Sequence, residues 1–331
     1  MTPTGSDGAM QFPQPVDPTP KPVADTAQLY AALDLGTNSC RMLIAQPKGT
    51  QFHVVDSFSK SVQLGRGLER HGTLSKASVA RTIQALRICQ RKLEDHNVAR
   101  MRLVATEACR RARNSGDFIA RVRGETGLDL EIIRPEEEAR LAVVSCAPLV
   151  SRHTEQLLVV DIGGGSTELV WIDLSRVAPS DRARAIMRMR AGFEGANAAS
   201  PFPVAQVVDW ISVPCGVATL KDLFDDVGDE NARFALMSCH FEEQIAGFAP
   251  YQDADGAAPR EGFQIIGTSG TVTTVAGIHL DLPRYDRRRV DGLWMSADQA
   301  DDAIDRLRAM DYHQRAANGC IGHVFMPVSS W

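Results

Sequence analysis

Two short stretches of the chain share a pattern of acidic, glycine and hydroxyl residues that suits phosphate and metal chemistry. They read "ALDLGTNSCRMLI", beginning at Ala32, and "VVDIGGGSTELVW", beginning at Val159. Each is an apolar strand that runs into an Asp, followed by a glycine-centred polar turn and a second apolar strand. When the stretches are overlaid, three pairs of identical residues coincide: Asp34 with Asp161, Gly36 with Gly163 and Ser39 with Ser166.

Such a turn has a physical use. Glycines let backbone N–H groups approach an anion closely, and Thr, Asn and Ser side chains add further donors. An Asp repels phosphate, so its place at the strand end indicates a hard cation such as Mg²⁺ between carboxylate and phosphate. One such turn alone is more often a simple β-hairpin, because Asp and Gly are common in turns. Two copies in matching positions favour one ligand clamped from both sides.

A third Gly/Thr-rich turn, "GTSGTVTT" at 267–274, follows a predicted strand and opens a predicted helix. Helix N-termini bind phosphate through their free N–H groups and the helix dipole. An ordinary strand-to-helix connection explains this turn equally well.

The stretch "RPEEEARL" at 134–141 has two interpretations. Proline at the first helical position with acidic residues in the first turn is common at helix starts. Alternatively, one of the three glutamates faces a cleft and acts as a general base towards water. The spacing does not decide which glutamate this is.

The order of elements predicts two related α/β domains. Strands are predicted at 29–35, 40–46, 51–57, 101–106 and 130–133, and again at 157–162, 168–173, 210–215 and 263–266. Helices are predicted at 75–95 and 115–126, from Pro135, at 217–225 and 230–248, after the third turn and after Ser296. Each half thus reads as three strands, helix, strand, helix, a duplicated βββαβα topology with a cleft between the halves. We assign 1–27 to a disordered Pro-rich tail, 28–134 to the first domain and 135–331 to the second.

Hydrophobic spacing predicts the buried faces of two helices. Ser75 is a suitable N-cap for the helix that follows it. The apolar stripe of that helix is Val79, Ile83, Leu86 and Leu93. In the last helix, the residues predicted to point inward are Ala300, Ile304 and Leu307.

Composition limits the classes of function. The chain has 331 residues, 44% of them hydrophobic, and a net charge of −5, which argues against a general nucleic-acid binder. It has no run of 18 apolar residues and no signal peptide, so we expect a cytoplasmic protein with no membrane partner. Arginines in "RMRLVATEACRRARN" and "RYDRRR" are either solvated surface or a local track for a polyanion.

Several motifs together resemble the exopolyphosphatase/guanosine pentaphosphate phosphohydrolase (Ppx/GppA) family of the actin-like ATPase (ribonuclease H-like) superfamily. The resemblance covers most of 28–323. Besides the two Asp-Gly-Ser stretches, its motifs are "VQLGRGL", "VATEACRRARN", "EEEARL", "ISVPCGVATLKD" and "GTSGTVTTVAGIHLDLPRYDRRRVDGL". "TEACRRARN" followed by "EEEARL" is the combination specific to this family.

The resemblance implies a Mg²⁺-dependent hydrolase that removes the terminal phosphate of inorganic polyphosphate, of guanosine pentaphosphate, or of both. It implies that Glu137 is the catalytic base, with Glu138 as the alternative, and that Arg110 contacts phosphate. Asp34 and Asp161 would hold the metal. The implied phosphate-binding residues are Gly36, Thr37, Asn38 and Ser39, then Gly163, Gly164, Gly165 and Ser166, and finally Gly267, Ser269 and Gly270. A homodimer is also expected.

Two other classes remain as alternatives. A kinase of the same superfamily would need an acceptor-sugar site, which the sequence does not suggest. A non-catalytic regulator would bind guanosine penta- or tetraphosphate without hydrolysis. The end of the chain, "HVFMPVSSW", departs from the family pattern, and we expect the closing C-terminal helix to be missing.

Overall fold

The computed structural model describes residues 28–48, 51–189, 205–248 and 261–321, which form two α/β halves. The strands of the first half are β1 (Tyr30–Leu35), β2 (Ser39–Lys48), β3 (Gln51–Ser61), β4 (Arg100–Ala105) and β5 (Glu131–Ile132). Its helices are α1 (Leu68–His71), α2 (Lys76–Asp95), α3 (Glu107–Arg111) and α4 (Ser115–Thr126).

The second half begins with helix α5 (Pro135–Cys146) and a 3₁₀ turn (Ala147–Leu149). Its strands are β6 (Gln156–Ile162), β7 (Thr167–Asp173), β8 (Gln206–Val213) and β9 (Phe263–Thr268). The further helices are α6 (Arg182–Met187), α7 (Val217–Leu223), α8 (Glu230–Ile245), α9 (Ser269–His279), α10 (Arg287–Val290), α11 (Ala297–Ala309) and α12 (Tyr312–Ala317).

The two sheets share one strand order, which confirms the predicted duplication. The first sheet runs β3-β2-β1-β4-β5 and the second β8-β7-β6-β9. In each, the first strand is antiparallel to the second (β1 with β2, β6 with β7) and parallel to the fourth (β1 with β4, β6 with β9). The parallel pair requires a helical crossover, which α2 provides in the first half. The predicted α/β fold class is therefore confirmed.

The glycine turns of the two halves are also equivalent in detail. Gly36 N donates to Ser39 O at 2.9 Å, and Gly163 N donates to Ser166 O at 3.0 Å. The hydrogen bond that closes each turn therefore joins the same two positions of the overlay. Both turns lie at the carboxyl ends of central strands, where sheets of this kind bind ligands.

Helix α2 buries the predicted stripe against the first sheet. Its N-cap Ser75 accepts a hydrogen bond from Ser78 N. The four stripe residues Val79, Ile83, Leu86 and Leu93 are all buried. Full burial of one such side chain contributes about 1.5 to 3 kcal/mol. The prediction for α11 is partly wrong, because Ile304 is exposed while its neighbour Ala303 is fully buried.

Helix α5 belongs to the second half through its packing. Ala139, Val143 and Cys146 form its buried face and pack with Leu157 and Val159 of β6. The helix begins after Arg134, with Pro135 at its first position. Its three consecutive glutamates, 136–138, therefore lie in the first turn, where the chain crosses between the halves.

The two halves also contact each other at α1 and α7. Gly67 N donates to Asp222 Oδ2 at 2.8 Å, and Arg70 forms an ion pair with Asp225 at 3.3 Å. These contacts therefore join the two halves.

Two predictions lie outside the described residues, namely the Pro-rich tail (1–27) and the missing closing helix, which concerns 322–331. Within the described ranges, no helix is both long enough and apolar enough to cross a membrane.

Candidate active site

The first and second glycine turns face each other across the cleft in direct contact. A Cβ atom placed on Gly165 would lie 2.2 Å from Thr37 Oγ1, and one on Gly164 would lie 3.0 Å from Asn38 Cβ. These glycines are therefore required because the opposite turn occupies the space of a side chain. Gly216, just before α7, is equally constrained, because its Cβ would lie 2.3 Å from the Gly164 carbonyl carbon.

A cavity of about 710 Å³ opens beside these turns. The first half lines it with Asn38, Ser39 and Arg41 of the first turn and β2, and with Ser57 and Ser59 of β3. The second half contributes Gly163 and Gly164, the third turn (268–271), Thr273, Tyr285 and Arg287, among others. Of the predicted phosphate-binding residues, Asn38, Ser39, Gly163, Gly164, Ser269 and Gly270 line this cavity. Gly36, Thr37, Gly165, Ser166 and Gly267 lie outside its wall.

The third turn has an unusual backbone. Ser269, the first residue of α9, has φ 76°, in the left-handed region that non-glycine residues seldom adopt. Such strain is retained where surrounding structure requires it, and it clusters at functional sites. The guanidinium of Arg41 lies against this turn, since a Cβ on Gly270 would lie 3.3 Å from Arg41 Nη2.

The two aspartates at the strand ends lie deep in the cleft and interact with each other. Burial raises the pKa of Asp161 to about 7, and the charges of Glu138 and Asp34 add to this rise. The pKa of Asp34 is also raised, because the surrounding protein desolvates its carboxylate, while the charge of Arg41 opposes the shift. Asp34 and Asp161 therefore form one acidic group, and their role as metal ligands stays a prediction.

Glu138 belongs to the same acidic group. Burial is the main cause of its raised pKa, and the negative charges of Asp34 and Glu107 act in the same direction. Its Oε2 accepts a hydrogen bond from Arg110 Nη1 at 2.7 Å. The structure thus brings Arg110 and Glu138 together with both aspartates.

Glu137 lies in a different environment. Its carboxylate accepts hydrogen bonds from Arg140 Nε at 2.7 Å, from Arg140 Nη2 at 2.9 Å and from Arg102 Nη1 at 2.7 Å. These two arginines lower the pKa of Glu137 to about 2. A carboxylate that is saturated by two guanidinium groups is a poor acceptor for a proton from water. The structure therefore does not place Glu137 with the acidic group, contrary to its predicted role as the first-choice base.

One further acidic residue at the site was missed in the sequence. Glu168 on β7 is 2% exposed, and burial together with the charge of Glu138 raises its pKa to about 8. Ser212 Oγ donates to its Oε1 at 2.8 Å. The sequence did contain a sign of this residue, namely a Glu within the apolar strand "STELVW". Burying a charged side chain in such a strand costs free energy, which indicates a functional reason for its presence.

The acidic group fits a magnesium ion with few protein ligands. Asp161 Oδ1 is a buried oxygen with no hydrogen-bond partner, which is a cost that a bound cation or its water would remove. Within the described ranges, no three Asp, Glu, His or Cys side chains form a complete metal-binding set. Mg²⁺ commonly takes only one or two carboxylates and keeps water and substrate phosphate oxygens as its other ligands. Asp34 and Asp161 are the residues that fit this role.

Comparisons with known proteins identify the family of the chain. A sequence model of the Ppx/GppA phosphatase family matches residues 43–279. The crystal structure of an exopolyphosphatase-like protein is 26% identical with a TM-score of 0.72, over 91% of this chain and 84% of that one. The Ppx/GppA enzyme of Aquifex aeolicus is 25% identical with a TM-score of 0.62, over 90% of both chains. An exopolyphosphatase from Cytophaga hutchinsonii, 22% identical with a TM-score of 0.68 over 91% of this chain and 87% of that one, shares the fold.

Two α/β halves with matching strand orders and opposed glycine turns, together with the family match, place the chain among the phosphohydrolases. The chain belongs to the Ppx/GppA phosphatase family. The resemblance predicted from its motifs is confirmed.

Proposed function

We propose that the protein releases the terminal orthophosphate of inorganic polyphosphate, of guanosine pentaphosphate, or of both. The observation that carries the proposal is the position of Glu138, which is paired with Arg110 and interacts with both strand-end aspartates in the cleft. Family membership and the similar exopolyphosphatase structures support the reaction class.

In this proposal, Glu138 replaces Glu137 as the base. Its raised pKa makes it a better proton acceptor than Glu137, whose pKa is about 2. Glu138 orients a water molecule towards the terminal phosphorus and takes its proton as the P–O bond to the next phosphate breaks. Glu137 instead joins β4 to α5 through Arg102.

The remaining residues bind and orient the phosphates. Backbone amides at the two glycine turns and the guanidinium of Arg110 stabilise negative charge on the group being transferred. Arg41 and Arg287, from opposite halves, supply positive charge to the cavity wall for more distant phosphates. When bound at Asp34 and Asp161, Mg²⁺ would neutralise phosphate charge and screen it from these carboxylates.

The test is phosphate release in Mg²⁺ from tripolyphosphate, long-chain polyphosphate and guanosine pentaphosphate. Glu138→Gln and Glu137→Gln are compared, since both keep the size of the side chain. We expect release by the wild type and by the Glu137 variant, and its loss in the Glu138 variant. Nucleotide binding with no release by the wild type would identify a regulator, and ATP consumption with a small alcohol would identify a kinase.

A further inference from the structure

Arg110 is held by two carboxylates from different halves of the protein. Its Nε and Nη2 donate to Glu107 Oε2 at 3.1 and 2.8 Å. Its Nη1 donates to Glu138 Oε2 at 2.7 Å and to the Ile133 carbonyl oxygen at 3.0 Å. The side chains of Arg110 and Glu107 are only 13% and 12% exposed, so these contacts are shielded from solvent.

The two carboxylates differ in what holds them. Glu107 lies three residues before Arg110 on α3, where i and i+3 side chains are neighbours. Its partnership with Arg110 is therefore independent of the distance between the halves. Glu138 lies on α5, which packs in the second half. Opening of the cleft would separate Arg110 from Glu138 and leave it with Glu107.

Glu107 is itself fixed on two further sides. Its Oε1 lies 3.7 Å from Arg111 Nε, and Arg111 is held by Glu69 through two hydrogen bonds of 2.5 and 2.8 Å. Glu107 also lies against the second glycine turn, because a Cβ on Gly165 would lie 3.0 Å from Glu107 Cγ. A carboxylate restrained in this way keeps the guanidinium that it binds in one orientation.

We propose that Glu107 is a positioning residue that holds Arg110 ready for a substrate phosphate and limits its pairing with Glu138. The inference rests on the proposed function, in which Arg110 contacts phosphate and Glu138 is the base. Without the Glu107 carboxylate, the guanidinium keeps the Ile133 carbonyl and Glu138 as partners. Phosphate would then compete with Glu138 for an Arg110 that has no other carboxylate partner. Hydrogen bonds between charged groups are stronger than those between neutral groups, so this competition would weaken phosphate binding.

The experiment is a double-mutant cycle on the binding of inorganic tripolyphosphate in MgCl₂, measured by calorimetry. The variants are Glu107→Gln, Arg110→Lys and the double variant, each checked for folding by thermal unfolding. Glu125→Gln is the control, because it removes a carboxylate from an arginine, Arg121, in an exposed pair on α4. We expect Glu107→Gln to weaken binding about tenfold, the scale of one charge-assisted hydrogen bond, and Glu125→Gln to leave it unchanged.

Coupling separates positioning from a structural role. If Glu107 acts through Arg110, Glu107→Gln has no further effect on Kd once Arg110 is Lys. Additive losses of affinity in the double variant would overturn the inference. So would an unchanged Kd in Glu107→Gln, or a wild type that does not bind tripolyphosphate. Absence of phosphate release by a wild type that binds with this coupling would refute the proposed hydrolase function and uphold the role of Glu107 in binding.

Discussion

The guanidinium of Arg110 lies 2.7 Å from the carboxylate of Glu138, although the two residues belong to different halves of the protein. The charges of these two side chains therefore neutralise each other, and in the proposed function they are the phosphate-binding arginine and the base. A phosphate that takes over Arg110 Nη1 would release Glu138 for a water molecule. Contact between Arg110 and a substrate phosphate would therefore both bind the substrate and release Glu138. Without substrate, Glu138 would stay paired with Arg110 and would not accept a proton from water.

The first prediction separates two adjacent glutamates. Glu138→Gln should lower kcat for phosphate release by about 10²- to 10⁴-fold, the usual contribution of a general base. Glu137→Gln should leave kcat nearly unchanged, because its carboxylate is occupied by Arg102 and Arg140. Initial rates at saturating substrate measure both. The reverse order of effects would return the role of base to Glu137.

The second prediction concerns stability and pH. The pKa of Glu137 is lowered from 4.5 to about 2, so its ion pairs stabilise the folded state above pH 4.5. That stabilisation is lost as the pH falls through about 2. Glu137→Gln should therefore reduce the free energy of unfolding by about 1 to 2 kcal/mol at pH 7.

Denaturant unfolding at pH 7 and at pH 2 measures this difference. It should be present at pH 7 and largely lost at pH 2, where about half of the wild-type Glu137 carboxyls are protonated in the folded state. Arg102→Gln serves as the partner variant. An equal stability difference at both pH values would show that packing, and not charge, is the cause.

The fold was predictable because its signals are repeated along the chain. The Asp-Gly-Ser turns occur twice, and each follows an apolar strand and precedes another, so the duplication could be read directly. The buried stripe of α2 was predictable for the same reason, since it spans four helical turns. In α11 the spacing alone failed, and the small Ala303 was buried in place of Ile304 because the neighbouring α9 packs closely there.

The site was less predictable, because its chemistry depends on contacts between distant segments. Three consecutive glutamates in one helical turn point in directions about 100° apart. Arg140, three residues after Glu137 on the same helix, and Arg102 on β4 hold Glu137, whereas Arg110 on α3 holds Glu138. Residue spacing within "PEEEARL" indicates the pair of Glu137 with Arg140, but it contains no information on Arg102 or Arg110.

The third prediction is a pH-dependent effect of Mg²⁺. Burial raises the pKa of Asp161 from 3.8 to about 7, so the folded state keeps a proton that the unfolded chain loses. Stability of the metal-free protein should therefore fall as the pH rises from about 4 to 7. A cation replaces that proton, and its stabilising effect should grow over the same range.

Thermal unfolding with and without Mg²⁺, at one fixed Mg²⁺ concentration for both pH 6 and pH 8.5, tests this. The shift in Tm should be larger at pH 8.5, at about 2 to 4 °C for each kcal/mol of binding free energy. Asp161→Asn should be more stable than the wild type without metal and should lose the shift. A shift of equal size at both pH values would contradict the assignment.

The fourth prediction concerns the cavity wall. The positive charge of Arg41 opposes the rise in the pKa values of Asp34 and Asp161. Its guanidinium lies against the third turn, and within the described ranges it forms no ion pair. Its charge is thus available to a ligand. Arg41→Ala should raise KM about tenfold or more, in line with the loss of one charge-assisted contact. Arg121→Ala, an exposed arginine paired with Glu125 on α4, is the control and should leave KM unchanged.

The fifth prediction tests the contact between the two glycine turns. Gly165→Ala would place a Cβ atom 2.2 Å from Thr37 Oγ1, so the turns must separate and the cleft cannot close fully. We expect kcat to fall while the free energy of unfolding changes by only about 1 to 3 kcal/mol. Removing the hydroxyl with Thr37→Ala in the same chain leaves the nearest Thr37 atom, Cβ, at 3.0 Å, which a small shift can accommodate.

The decisive measurement is whether Thr37→Ala suppresses the loss of kcat caused by Gly165→Ala. The double variant Gly165→Ala, Thr37→Ala should recover part of the kcat lost by Gly165→Ala, measured against Thr37→Ala alone. Gly216→Ala is the matched control, because its Cβ would meet the Gly164 backbone at 2.3 Å, which no substitution at Thr37 relieves. If Thr37→Ala rescued Gly216→Ala as well, or rescued neither, contact between the turns would not limit closure. Rescue of Gly165→Ala alone would show that the two duplicated turns must meet for the hydrolytic site to work.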